Sequence, residues 1–171
     1  MNLDKIPAID KNGNINAVIE IPYLSNVKYE LDKDLGAILA DRVLFGANFY
    51  PANYGFVPNT LSDDGDPIDV LVLSEYALIP GSVIKVRLIG VLRMIDGGEN
   101  DEKLLAVPIS KVDPRFEKIQ NYDDLPQITL DKIKDFFTNY KNLEKKEVKV
   151  LDFECKDAAK IALDLAIKNC K

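Results

Sequence analysis

The chain has 171 residues and a mass of 19.1 kDa, of which 47% are hydrophobic and 29% charged; this predicts one domain, 1–171, with a core that needs no disulfide staples. The 22 basic residues against 28 acidic ones leave a net charge of −6, which repels nucleic acid and anionic lipid at long range. Histidine is absent, which removes the usual general base, the usual zinc ligand and every Ser–His or Cys–His device.

In chain order, 17–22 (AVIEIP) alternates as a strand, with Ile19 and Ile21 on one face and Val18 and Glu20 on the other. The segment 27–31 (VKYEL) alternates more cleanly, with Val27, Tyr29 and Leu31 opposite Lys28 and Glu30. A third strand is expected over 37–43, with Arg42 near its end. The stretch 49–58, FYPANYGFVP, reads as a packed aromatic loop containing Tyr50, Asn53 and Tyr54. Next, 68–73 (IDVLVL) is an apolar run broken only by Asp69, the pattern of a strand buried on both faces. A long strand is expected over 83–95 and a short one over 104–109. The period then becomes helical: Leu130, Ile133, Phe137 and Tyr140 form one face, with Thr129 as the expected N-cap and Asp131 in the first turn. One more strand fits 148–153. Ala158, Ile161, Ala162 and Leu165 predict a second amphipathic helix, with Asp157 as N-cap and Lys168 and Lys171 favouring its end. Short strands followed by helices predict a mainly β fold, a closed or nearly closed barrel with helices outside.

No apolar run approaches the ~20 residues needed to span a bilayer. The opening residues MNLDKIPAID carry acids and no apolar h-region, so a secretory signal is not expected. Cys155 and Cys170 lack metal spacing and no glycosylation sequon occurs, which together predict a reducing cytoplasm.

The densest polar group is Asp63-Asp64-Gly65-Asp66-Pro67-Ile68-Asp69. Four carboxylates in seven residues repel one another, and the run opens a strand with the signature of burial. Such carboxylates need a compensating cation, and oxygen donors without His or paired Cys suit hard divalent ions. An acidic turn held by Gly and Pro is the plainer reading. A calcium loop fails on spacing, because Leu71 stands where its bidentate Glu belongs. A second acidic group, Asp96, Glu99, Asp101 and Glu102 followed by Lys103, reads as a hairpin loop turning at Gly97-Gly98. Two acidic loops at strand ends can meet across a barrel mouth. Carboxylates for metals, with Lys28, Arg42, Lys141 and tyrosines for anions, point to metal-assisted phosphoryl transfer to water.

The segment Asp64-Gly65-Asp66-Pro67-Ile68-Asp69-Val70 is a D-x-D-P-x-D-x signature. Around it stand IEIP (19–22), KYELDK (28–33), DR (41–42), FYPANYGFVP (49–58), PGSVI (80–84), GVLRMID (90–96), AVP (106–108) and FFTNYKNLE (136–144). With these motifs in order from end to end, the chain resembles the soluble family I inorganic pyrophosphatases of bacterial type. The resemblance implies an OB-like five-stranded β-barrel with two flanking α-helices, and hydrolysis of pyrophosphate to two phosphates with several Mg²⁺ ions per site. It implies Asp64, Asp69 and Asp101 as ligands of the tightest metal, Asp96 with Asp101 for further metal, and Glu20 and Glu30 as outer ligands acting largely through water. Asp66 would orient and deprotonate the attacking water. Lys28, Arg42, Tyr54, Tyr140 and Lys141 resemble the phosphate-holding set, with Lys103 near the second acidic loop and Tyr50 and Asn53 in the same wall.

The implied partners are pyrophosphate and phosphate, with no nucleic acid and no membrane, in a homohexamer built as a dimer of trimers. Three departures stand out. Gly97 and Gly98 follow Asp96 where relatives usually carry an acid. Asp135 and Asn139 stand near positions often held by histidine at subunit contacts, and tryptophan is absent. The competing readings are an OB-like ligand-binding module without catalysis and an inactive relative kept as a scaffold. The full set of carboxylates and cations argues against the second.

Overall fold

A computed structural model describes residues 5–170; Lys171, expected to favour the end of the second helix, lies outside them. Nine strands and two α-helices appear among the described residues: β1 (Ile15–Ile21), β2 (Val27–Asp32), β3 (Ala37–Val43), β4 (Asn53–Phe56), β5 (Asp69–Val72), β6 (Val83–Asp96), β7 (Glu99–Asn100), β8 (Lys103–Pro108), α1 (Gln127–Asn139), β9 (Val148–Cys155) and α2 (Lys156–Asn169). Strand pairing runs β1-β4-β5-β8-β6, and β6 pairs back onto β1, so five strands close a ring. Closure removes the exposed edges that such apolar strands would otherwise present. β7 and β9 pair with the long β6, while β2 and β3 form a separate two-stranded hairpin.

Alternation along the ring strands feeds two cores. Val70 and Val72 of β5, with Leu104 and Ala106 of β8, join one cluster closed by Ala159, Ala162, Leu163 and Ala166 of α2. Their neighbours Leu71, Leu105 and Val107 join a second cluster with Ile133, Phe136 and Phe137 of α1. Each fully buried Leu, Ile or Phe contributes roughly 1.5–3 kcal/mol by leaving water.

Several expectations are corrected. Residues 53–56 are a strand, β4, because Gly55 lets the chain lie against β1: a Cβ there would sit 1.9 Å from the Val18 carbonyl oxygen. Ile19 and Ile21 do not share a face; a register shift between them sends Ile19 to the first core and Ile21 to the second. Helix α1 begins at Gln127 after Pro126, and the Thr129 N–H already donates to the Pro126 carbonyl at 2.8 Å, so Thr129 is not the cap. Asp157 is not the cap of α2 either: Cys155 takes that position, and the Lys156 N–H donates to Asn121 Oδ1 at 3.0 Å. The buried face of α2 is Ala159, Ala162, Leu163 and Ala166, with Ile161 and Leu165 exposed. Three alanines on the inner face let the helix axis approach the strands closely.

Candidate active site

The acidic turn is held from below by a buried hydroxyl. Thr60 Oγ1 donates to the Val57 carbonyl at 2.6 Å and accepts from the Ile68 N–H at 3.0 Å. Within the turn, Gly65 takes φ +86°, the Ser62 N–H donates to the Asp66 carbonyl at 2.7 Å, and the Asp66 N–H donates to Asp64 Oδ1 at 3.0 Å. This leaves Asp64 and Asp66 in solvent, while Asp69 enters β5 and turns inward. The parallel pairing of β5 with β8 sets Asp69 opposite Lys103. The buried Lys103 ammonium donates to Asp69 Oδ2 at 2.5 Å and also to Asp101.

The second acidic group is a hairpin, as expected: Gly97 and Gly98 both take positive φ, +60° and +92°, which fits a tight two-residue turn between β6 and β7. Asp96 then pairs with Lys141, and the Tyr140 hydroxyl lies 3.5 Å from Asp96 Oδ2. Glu99 is exposed outside the cavity, and Glu102 pairs with Arg93.

These loops, the hairpin and the end of α1 enclose one cavity of about 410 Å³. Glu20, Lys28, Glu30, Arg42, Tyr50, Tyr54, Asp64, Asp66, Asp69, Asp96, Asp101, Lys103, Tyr140 and Lys141 all line it. Asn53 does not. It is a fully buried brace whose side-chain oxygen accepts from the Tyr23 and Leu78 N–H groups at 3.0 and 2.7 Å. Lys33 and Lys146 line the cavity and were missed. Lys33 closes the segment KYELDK and reaches within 3.7 Å of Asp66. Lys146 follows Lys145, whose φ of +56° turns the chain back towards the site. No sequence signal marks that reversal.

Burial divides the ionisable groups. It pushes the Glu20 carboxyl up to about 7, against a bond accepted from the Leu31 N–H at 2.8 Å and with Asp69 and Glu30 adding repulsion. Burial also raises Asp101, although Lys103 pulls the other way. The Tyr50, Tyr54 and Tyr140 hydroxyls are all raised, burial being the largest cause, so they remain protonated donors. Ring packing holds them: Tyr50 lies 4.7 Å from Phe136 and Tyr140 5.1 Å from the same ring, centroid to centroid. Burial opposes the charge on Arg42, but Glu144 and Asp41 outweigh it and its pKa rises.

Seven carboxylates and six cations line the cavity. The donors are all oxygen, and burial disfavours the charged forms of Glu20 and Asp101, a cost a bound cation would offset, so the set fits hard divalent cations. Among the described residues no three acidic side chains converge as a metal cluster; the ammonium of Lys103 pairs with both Asp69 and Asp101.

The family profile described as inorganic pyrophosphatase matches residues 17–171. The chain is 62% identical to the inorganic pyrophosphatase of Campylobacter jejuni over 172 residues, covering 100% of each. It is similar to the solved inorganic pyrophosphatase of Helicobacter pylori, with TM-score 0.90 and 57% identity over 92% of this chain and 93% of that one. The Thermus thermophilus structure matches with TM-score 0.93 and 44% identity over 99% of each chain.

Proposed function

The chain belongs to the inorganic pyrophosphatase family and hydrolyses pyrophosphate to two phosphates, and from that premise we propose how its own residues carry the reaction. The observation that supports the reading is that an acidic group and a cationic group face each other across this cavity.

In this reading Asp64, Asp69, Asp96 and Asp101 hold divalent metal, Mg²⁺ above all and several ions per site, with Glu20 and Glu30 as outer ligands. Such ions lower the pKa of nearby water and neutralise charge on phosphoryl oxygens. Asp66, with 77% of its side chain exposed, orients the attacking water and accepts its proton. No histidine is needed for that transfer. The water oxygen forms a bond to one phosphorus while the bridging P–O bond breaks, and the bridging oxygen leaves with the second phosphate. Lys28, Arg42, Lys141 and Lys103 supply positive charge on the cavity wall, and the protonated Tyr54 and Tyr140 hydroxyls donate to phosphate oxygens. Tyr50 stiffens the wall beside Tyr54, the two rings lying 5.5 Å apart. A ligand-binding module without catalysis is set aside by the family. A groove for oligonucleotides also needs surplus positive charge, whereas this cavity has more acids than cations.

Phosphate release from pyrophosphate by the purified chain tests the metal requirement. Activity is expected with Mg²⁺ and should vanish with excess chelator; full activity in chelator contradicts the reading. We read 1–171 as one domain acting in the cytoplasm as a homohexamer, a dimer of trimers. Two free cysteines, Cys155 and Cys170, and the lack, among the described residues, of any helix long and apolar enough to cross a membrane accord with that compartment. A single melting transition, cell fractionation and sedimentation velocity check these three points, and a monomer at all concentrations removes the last.

A further inference from the structure

We infer that Glu144, which does not line the cavity, positions the guanidinium of Arg42 against the phosphate of pyrophosphate. The inference rests on the reading of Arg42 as a phosphate-holding group. Arg42 lies on the β2–β3 hairpin, opposite Lys28, in a sheet with no strand pairing to the main one. A hairpin attached in this way needs side-chain ties to hold its cations in register with the rest of the site.

Glu144 supplies one. Its side chain is 7% exposed, and Oε1 accepts from Arg42 Nε at 3.0 Å across 102 positions of sequence. Asp41 accepts from Arg42 Nη1 at 3.0 Å. A guanidinium has five N–H donors in a fixed plane, so these two contacts fix its orientation and leave donors on Nη1 and Nη2 for a phosphate. Glu144 is itself held on the turn that continues α1, its N–H donating to the Lys141 carbonyl at 2.9 Å. Tyr140 and Lys141, at the start of that turn, line the cavity. One carboxylate therefore sets the hairpin's arginine at a fixed distance from the two anion-binding groups at the helix end. The Arg42 side chain is always ionised, so Glu144 acts on direction rather than on charge state. The plainer reading, an ion pair that only stabilises the fold, predicts a loss of melting temperature with KM unmoved.

The test is a double-mutant cycle on the full chain with Mg²⁺, reading KM and kcat for pyrophosphate together with the melting curve. Glu144→Ala should raise KM about tenfold, the size of a coupled polar pair. Glu144→Gln, which keeps an acceptor oxygen and the side-chain volume, should raise it less. Arg42→Ala should raise KM at least as much as Glu144→Ala, and adding Glu144→Ala to Arg42→Ala should change KM by less than about twofold. If Glu144→Ala does not fold, Glu144→Gln carries the same cycle. Unchanged KM in the Glu144 variants, or an undiminished Glu144 effect in the Arg42→Ala background, overturns the inference. Unchanged KM in Arg42→Ala alone overturns instead the role given to Arg42.

Discussion

Asp69 and Asp101, on the floor of the cavity, share the buried ammonium of Lys103, whereas Asp64 and Asp66, on its rim, stand exposed in a turn held by backbone hydrogen bonds. The floor grows out of the ring strands β1, β5 and β8, and burial there raises Glu20 and Asp101. The rim comes from the acidic turn and the β2–β3 hairpin, where Glu30 is exposed and Lys28 and Arg42 are only partly buried. Burial disfavours the charged form of a carboxylate, and a bound cation offsets that cost. A carboxylate in water can rotate, meet a water molecule and take its proton. Exposure alone does not divide the roles: Asp64, on the rim, is read as a metal ligand together with the floor, and Asp66 in the same turn as the proton acceptor.

The largest effect should fall on the rim. Asp66→Asn keeps the shape and removes the proton acceptor, so kcat should fall at least ~10²-fold, the scale of general base catalysis, with the melting temperature unchanged. Wild-type turnover in that variant would take the base role from Asp66. A smaller effect separates the floor by pH. Glu20 titrates near 7 rather than near its ordinary 4.5, so below pH 7 a metal ion must displace a proton held there. Calorimetry should show Mg²⁺ affinity falling from pH 8 to pH 6, by up to about tenfold per pH unit for one proton, and Glu20→Gln should flatten that slope. The stability of the chelated protein should move the other way. A carboxyl pKa raised in the folded state makes folding retain a proton, so Glu20's contribution is present near pH 4.5 and lost as pH rises through 7. Affinity independent of pH would mean that Glu20 does not face the metal.

The ring strand β5 was legible because 68–73 is an apolar run broken only by Asp69, and α1 because Leu130, Ile133, Phe137 and Tyr140 recur with the helical period and are all buried. β4 was not, because Pro51 and Gly55 mark a loop unless the close approach of β1 is known. The inner face of α2 was misjudged for a related reason: periodicity favours Ile161 and Leu165, while close contact with the strands favours Ala159 and Ala162. The cap from Asn121 to α2 lies 35 positions away and leaves no local trace. Most of the cavity lining was legible because it sits in short contiguous motifs. Lys146 and the tie from Glu144 to Arg42 were not, since both depend on where a turn after α1 sends the chain.

The division of labour between Asp69 on the floor and Asp66 on the rim is tested most directly by titrating Mg²⁺ into Asp66→Asn and Asp69→Asn by calorimetry, beside the wild type. Asp66→Asn should bind with wild-type affinity although it turns over slowly, and Asp69→Asn should bind at least roughly tenfold more weakly, the scale of a disturbed metal site. Equal affinities in the two variants, or the greater loss in Asp66→Asn, would contradict the assignment of metal to Asp69 and of proton transfer to Asp66.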